Sequence, residues 1–139
     1  MKYFLTITTL LFFVISCNNP SDSTPTPTPT PEQIAEKFLS AYFCPDFDQI
    51  LLLCASGSIL KSDMERNAQT FYGYPPEIQK KLSIDLEAYN FNIDRINVSP
   101  AKDSAFVSYS IFTPEFVNGK ACNLTLIKEE NEWKVVKLL

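Results

Sequence analysis

From Thr30 onward the chain changes its hydrophobic period once, and that change predicts the fold. Ile34, Ala35, Phe38, Leu39 and Tyr42 recur at helical spacing, with Glu32, Glu36 and Lys37 on the opposite side, the pattern of an amphipathic helix with one buried face. Thr30-Pro31-Glu32-Gln33 supplies its start: threonine as N-cap, proline at the first helical position and glutamine at N3 form a capping box. Pro45 stops that helix. Asp46 caps a second, in which Phe47, Ile50, Leu51 and Cys54 share a face and Gly57 marks the end. Ser62-Asp63-Met64-Glu65 reads as another capping box, with Met64, Ala68 and Phe71 on one side and Gly73 behind them. Tyr74-Pro75-Pro76 breaks the chain, and one short helical turn is expected from Glu77 to Leu82.

From Ser83 the period becomes that of a strand. Ile84, Leu86 and Ala88 alternate, and Phe91 and Ile93 then take the other parity, so a bulge is expected around Tyr89-Asn90. Ala105, Val107, Tyr109 and Ile111 alternate with Ser108 and Ser110; Cys122, Leu124 and Leu126 alternate with Asn123 and Thr125; Trp133 and Val135 flank Lys134. Asn118-Gly119 and the stretch Glu129 to Glu132 fall where hairpin connections belong. Helices followed by a meander predict an α+β fold, with N-terminal helices packed on a curved antiparallel sheet of about four strands.

The segment upstream of Thr30 has a different character. Phe4 to Ile15 is apolar and uncharged behind Lys2. It is too short for a bilayer core of about 30 Å but suits the apolar region of a secretory signal. The following Val14-Ile15-Ser16-Cys17 resembles the bacterial lipoprotein box. That resemblance implies that residues 1–16 are a cleaved signal and that Cys17 carries acyl chains, so membrane lipid is the first expected partner. Two or three chains hold a protein firmly, at about 0.8 kcal/mol per buried methylene. Asn18 follows the cysteine; aspartate there retains some lipoproteins at the inner membrane, so the outer membrane is expected. The protein would then be lipid-anchored in the cell envelope, on the periplasmic side or the cell surface. Asn18 to Thr30 contains no aliphatic or aromatic residue and alternates Thr with Pro, which predicts an extended polyproline tether. Residues 17–30 are therefore read as lipidated cysteine and tether, and 31–139 as one domain.

Composition removes several functions. There is no histidine, which excludes imidazole ligands and Ser-His-Asp or Cys-His nucleophiles. A net charge of −4 has the wrong sign for holding phosphates, so no nucleic-acid partner is expected. With Cys17 acylated, Cys44, Cys54 and Cys122 are too few for a four-cysteine zinc site. Cys44 and Cys54 lie about 15 Å apart along a helix, too far to bond to each other, while Cys122 could meet either. Asp46-Phe47-Asp48 offers too few oxygens for calcium. No metal and no cofactor are expected.

Several segments together carry a family resemblance. Thr30-Pro31-Glu32, Asp46-Phe47-Asp48, Asp103-Ser104-Ala105-Phe106-Val107 and Lys128-Glu129 with Trp133-Lys134-Val135 resemble NTF2-like (cystatin-like) lipoproteins. Among these the chain is most similar to the small DUF4878-like domains of bacterial lipoproteins. The resemblance implies a cone enclosing a cavity between sheet and helices. Some relatives work there as isomerases or dehydratases, with a carboxylate in an apolar pocket. The inward strand positions here carry no carboxylate; Asp85 and Glu87 have the outward parity, and the facing of Asp94 is left open by the parity shift. Tyr42, Tyr109 and Trp133 are the candidate pocket residues. Phe106, Phe112, Ile127, Val136 and Leu138 carry the parity opposite to the core. The first four make a candidate interface for a second copy or an envelope protein. The expected function is a non-catalytic ligand- or protein-binding module, the alternatives being an isomerase or dehydratase in the cone and an inhibitor or immunity-type lipoprotein.

Overall fold

The computed structural model describes residues 27–139. The signal segment, Cys17 and the tether up to residue 26 lie outside the described residues.

Helix α1 (Pro31–Phe43) begins in the expected capping box: Gln33 N donates to Thr30 Oγ1 at 3.3 Å and Thr30 N donates to Gln33 Oε1 at 2.9 Å. Its buried face holds Ile34, Ala35, Phe38 and Leu39. Helix α2 (Phe47–Leu53) starts where Gln49 N donates to Asp46 Oδ1 at 3.1 Å. It ends at Leu53, before Gly57, because the next residues pair with the sheet: Cys54 bridges Val135 and Ala55 N donates to Val135 O at 2.8 Å. The loop is also held by Glu129, whose carboxylate accepts from Ser56 N and Ser56 Oγ.

Helix α3 (Ile59–Gly73) is capped by Ser58, and Ser62 lies inside it. Lys61 N donates to Ser58 Oγ at 3.1 Å, and the same hydroxyl donates to Ala55 O at 2.8 Å. This earlier start puts Leu60 in line with Met64 and Ala68 on the buried face, and the extra apolar burial favours it. Helix α4 (Pro76–Glu87) corrects the strand expected from Ser83. Ile84, Leu86 and Ala88 do alternate, but Ile78, Leu82 and Leu86 also recur every fourth residue behind a Pro-Pro start. Of these Leu86 is half-buried, whereas Ile84 is left 53% exposed.

The sheet consists of β1 (Asn90–Val98), β2 (Ser104–Phe112), β3 (Lys120–Glu129) and β4 (Glu132–Leu138), all antiparallel and in chain order. Glu130 and Asn131 close the last hairpin with φ of 51° and 69°, as a tight turn matching strand twist requires. Gly119, at φ 82°, lies so close to Phe112 that a Cβ would come within 2.9 Å of the ring. The bulge falls later than Tyr89-Asn90: Ile93 pairs with Tyr109 and Arg95 with Ser108, leaving Asp94 as the extra residue.

The architecture is α+β, with four helices followed by a curved four-stranded antiparallel sheet. Phe38, Leu39, Ile50, Val107, Leu124, Leu126 and Val135 form the fully buried centre. The whole core lies between Ile34 and Val135, so the unit from α1 to β4 carries its own core. Leu138, expected on the outer face, packs against that core because Val136 is an extra residue in the ladder, Leu126 pairing with Val135 and Thr125 with Lys137. No helix among the described residues is long and apolar enough to cross a membrane.

Candidate functional site

The inside of the cone is packed with its own side chains. Val107, Leu124, Leu126 and Val135 have no exposed surface beneath Phe38, Leu39 and Ile50. Tyr109 is buried and pairs with Cys122 across the β2–β3 ladder. Desolvation, followed by its Cys122 and Tyr42 neighbours, holds its phenol well above the usual 10. Tyr42 stacks on Phe38 with centroids 6.1 Å apart and meets Phe43 edge-on. Of the candidate pocket residues, the structure therefore brings Tyr42 and Tyr109 together and separates Trp133. Trp133 pairs with Lys128, whose ammonium lies 5.3 Å from the indole ring. Cys122 and Lys128 are about 20 Å apart along β3 by strand rise.

Asp94 points out of the cone. Ser110 Oγ donates to Asp94 Oδ2 at 2.7 Å and Asn92 Nδ2 donates to Asp94 Oδ1 at 3.1 Å, both on the outer face. Asp85 and Glu87 are exposed on α4.

The helices make an open cleft of about 270 Å³. Tyr42 and Pro45 wall it at the end of α1, and Phe47 and Ile50 do so from α2. Met64, Asn67, Thr70 and Phe71 line it from α3. Tyr74, Leu82 and Leu86 close the far side, the last two from α4. Phe47 and Phe71 meet inside it at 5.5 Å between centroids and 48° between planes. No charged side chain among the described residues lines it. Tyr42 is the one candidate residue that belongs to this cleft. The α4 wall escapes a strand reading of residues 83–88; the four-residue spacing of Ile78, Leu82 and Leu86 is the signal that would have found it.

Trp133 lies instead in a groove of about 440 Å³ that it shares with Ile34, Leu53 and the end of the tether, Pro27 to Pro29. On the outer sheet face Phe106, 39% exposed, pairs with Thr125, beside Ile127 and near Val136. Phe112 is six residues along β2, about 20 Å away, beyond Ser108 and Ser110 and against Gly119. The expected interface is thus divided, with Phe106, Ile127 and Val136 in one region and Phe112 in another. Val136 also faces a hollow next to Ile59 and Leu60 of α3.

Cys44, Cys54 and Cys122 are free thiols. Burial pushes the Cys54 thiol up to about 11. Among the described residues no group of three or more Cys, Asp or Glu is placed to hold a metal ion.

No protein-family model matches the chain, and no curated protein matches it. Two solved structures are similar to it. One, from Thiobacillus denitrificans, is assigned as a calcium/calmodulin-dependent protein kinase type II association domain; it is 12% identical, covers 80% of this chain and 94% of its own, and gives a TM-score of 0.43. The other, from Streptomyces avermitilis, is assigned as a dehydratase of the NTF2-like family; it is 15% identical, covers 76% of this chain and 88% of its own, and gives a TM-score of 0.41.

Proposed function

We propose that the protein is a lipid-anchored lipoprotein of the cell envelope, held at the outer membrane through acylated Cys17. Its NTF2-like domain is a non-catalytic binding module that takes a small apolar molecule into the cleft between α1, α2, α3 and α4. The observation that carries this reading is the cleft itself: about 270 Å³, apolar and aromatic, with Asn67 and Thr70 as its polar side chains besides Tyr42 and Tyr74. Ligand sites are commonly apolar concavities with a small number of placed polar groups. The packed cone supports the same conclusion, since it leaves no room beside Tyr109 for a substrate. The outward Asp94 speaks against the carboxylate-based isomerase or dehydratase alternative, which would place that acid inside the pocket.

The experiment is a titration of the domain, residues 27–139, with the neutral fluorophore N-phenylnaphthylamine. Saturable enhancement is expected, and Leu82→Trp, which fills the cleft from its 37% exposed α4 side, should abolish it while leaving the melting curve intact. Enhancement that survives Leu82→Trp would contradict the assignment of the cleft.

A further inference from the structure

We infer that the ligand is an uncharged amphiphile: a one- or two-ring body seated among the aromatics, with a hydroxyl or amide group against Asn67. This rests on the cleft being the binding site, and it names the class of molecule that fits.

Size sets the body. An apolar cavity of about 150 Å³ accommodates benzene, so the roughly 270 Å³ here suits about two fused rings. The lining favours rings, because Tyr42, Phe47, Phe71 and Tyr74 all border the cleft and aromatic side chains gain from stacked or edge-on contact with a flat guest.

Charge sets the head group. No lysine, arginine, aspartate or glutamate among the described residues lines the cleft, so a carboxylate or ammonium would give up part of its hydration without gaining an ion partner. Arg66, adjacent to Asn67 in sequence, is already paired with Asp63 at 3.1 Å.

Hydrogen-bond capacity sets the position of the polar group. Asn67 and Thr70 are three residues apart on α3 and line the same wall. The Thr70 hydroxyl donates its proton to Arg66 O at 3.0 Å, so it offers a ligand only lone pairs. The Asn67 carboxamide makes no side-chain hydrogen bond within the described residues and is exposed at the rim. It can donate and accept at once. A hydroxyl or amide, which also does both, matches this pair.

The test compares naphthalene, naphthol and naphthoate binding to residues 27–139 by calorimetry. Naphthol should bind about fivefold tighter than naphthalene, as one net neutral hydrogen bond gives, and naphthoate at least about tenfold weaker than naphthol. Asn67→Leu should erase the advantage of naphthol while naphthalene binds as before, with an unchanged thermal melt as the folding control. Naphthalene and naphthol binding equally in the native protein, or naphthoate binding tightest, would overturn the ligand class and leave the cleft standing. Binding of none of the three would overturn both.

Discussion

Ser110 donates its hydroxyl to Asp94 at 2.7 Å on the outer face of the sheet. A β-bulge inserts one extra residue and so re-aims the side chains around it; here that residue is Asp94, between Ile93 and Arg95. The one strand acid whose facing the parity shift leaves open in the sequence is thereby turned away from the cone. Asp94→Asn is expected to leave both the melting temperature and N-phenylnaphthylamine affinity unchanged. A large loss of affinity on this substitution would mean that Asp94 acts in the binding site.

Trp133 is the sole tryptophan and only 6% exposed. Trp133→Ala should destabilise the domain by about 3–5 kcal/mol in chemical denaturation, through loss of a large buried aromatic. The tether end at Pro27 to Pro29 walls the same groove. A chain starting at Thr30 should therefore show redder Trp133 emission and stronger acrylamide quenching than one starting at Pro27. Identical quenching would mean that the tether end does not cover the indole.

The thiol of Cys54 gives a pH dependence with a definite sign. Burial raises it from 9.0 to about 11, so the fold favours the neutral thiol. That stabilisation is complete below pH 9 and is lost as pH rises through about 11. Tyr109, also raised by burial, adds to the loss above pH 10. Melting temperatures across this range should fall less steeply for Cys54→Ala, with the difference appearing from pH 9 upward. Parallel curves for the two proteins would contradict the burial of Cys54.

Lipid attachment is tested in the intact cell. Cys17→Ser should accumulate as an unacylated, unprocessed precursor, because acyl transfer needs the thiol and cleavage follows it. Mass spectrometry of the native protein should show a chain that begins at Cys17 and carries acyl groups. An acyl-free mature chain beginning elsewhere would rule out the anchor.

Much of the fold is legible in the sequence because it is written locally. Thr30, Pro31 and Gln33 define the start of α1 through bonds within one turn, and the alternation from Ala105 to Ile111 survives as the buried face of β2. What was not legible depends on distant partners. α2 stops at Leu53 because Val135, eighty residues beyond Ala55, takes the Ala55 amide. Ser58 displaces Ser62 as cap because Leu60 finds a place in the core. Residues 84–88 fit both periods, and the chain is helical through Glu87. α4 closes the cleft, and of the cleft's walls only Tyr42 is marked by the sequence as a candidate site residue.

Chemical-shift mapping of the domain, residues 27–139, with naphthalene tests the location of the site most directly. Shifts should gather on Asn67, Phe71, Leu82 and Leu86, which line the cleft from α3 and α4, and leave Val107, Leu124 and Leu126 in the packed cone unmoved. Shifts centred on Tyr109 and Cys122, or on Phe106, Ile127 and Val136 of the outer face, would contradict the account.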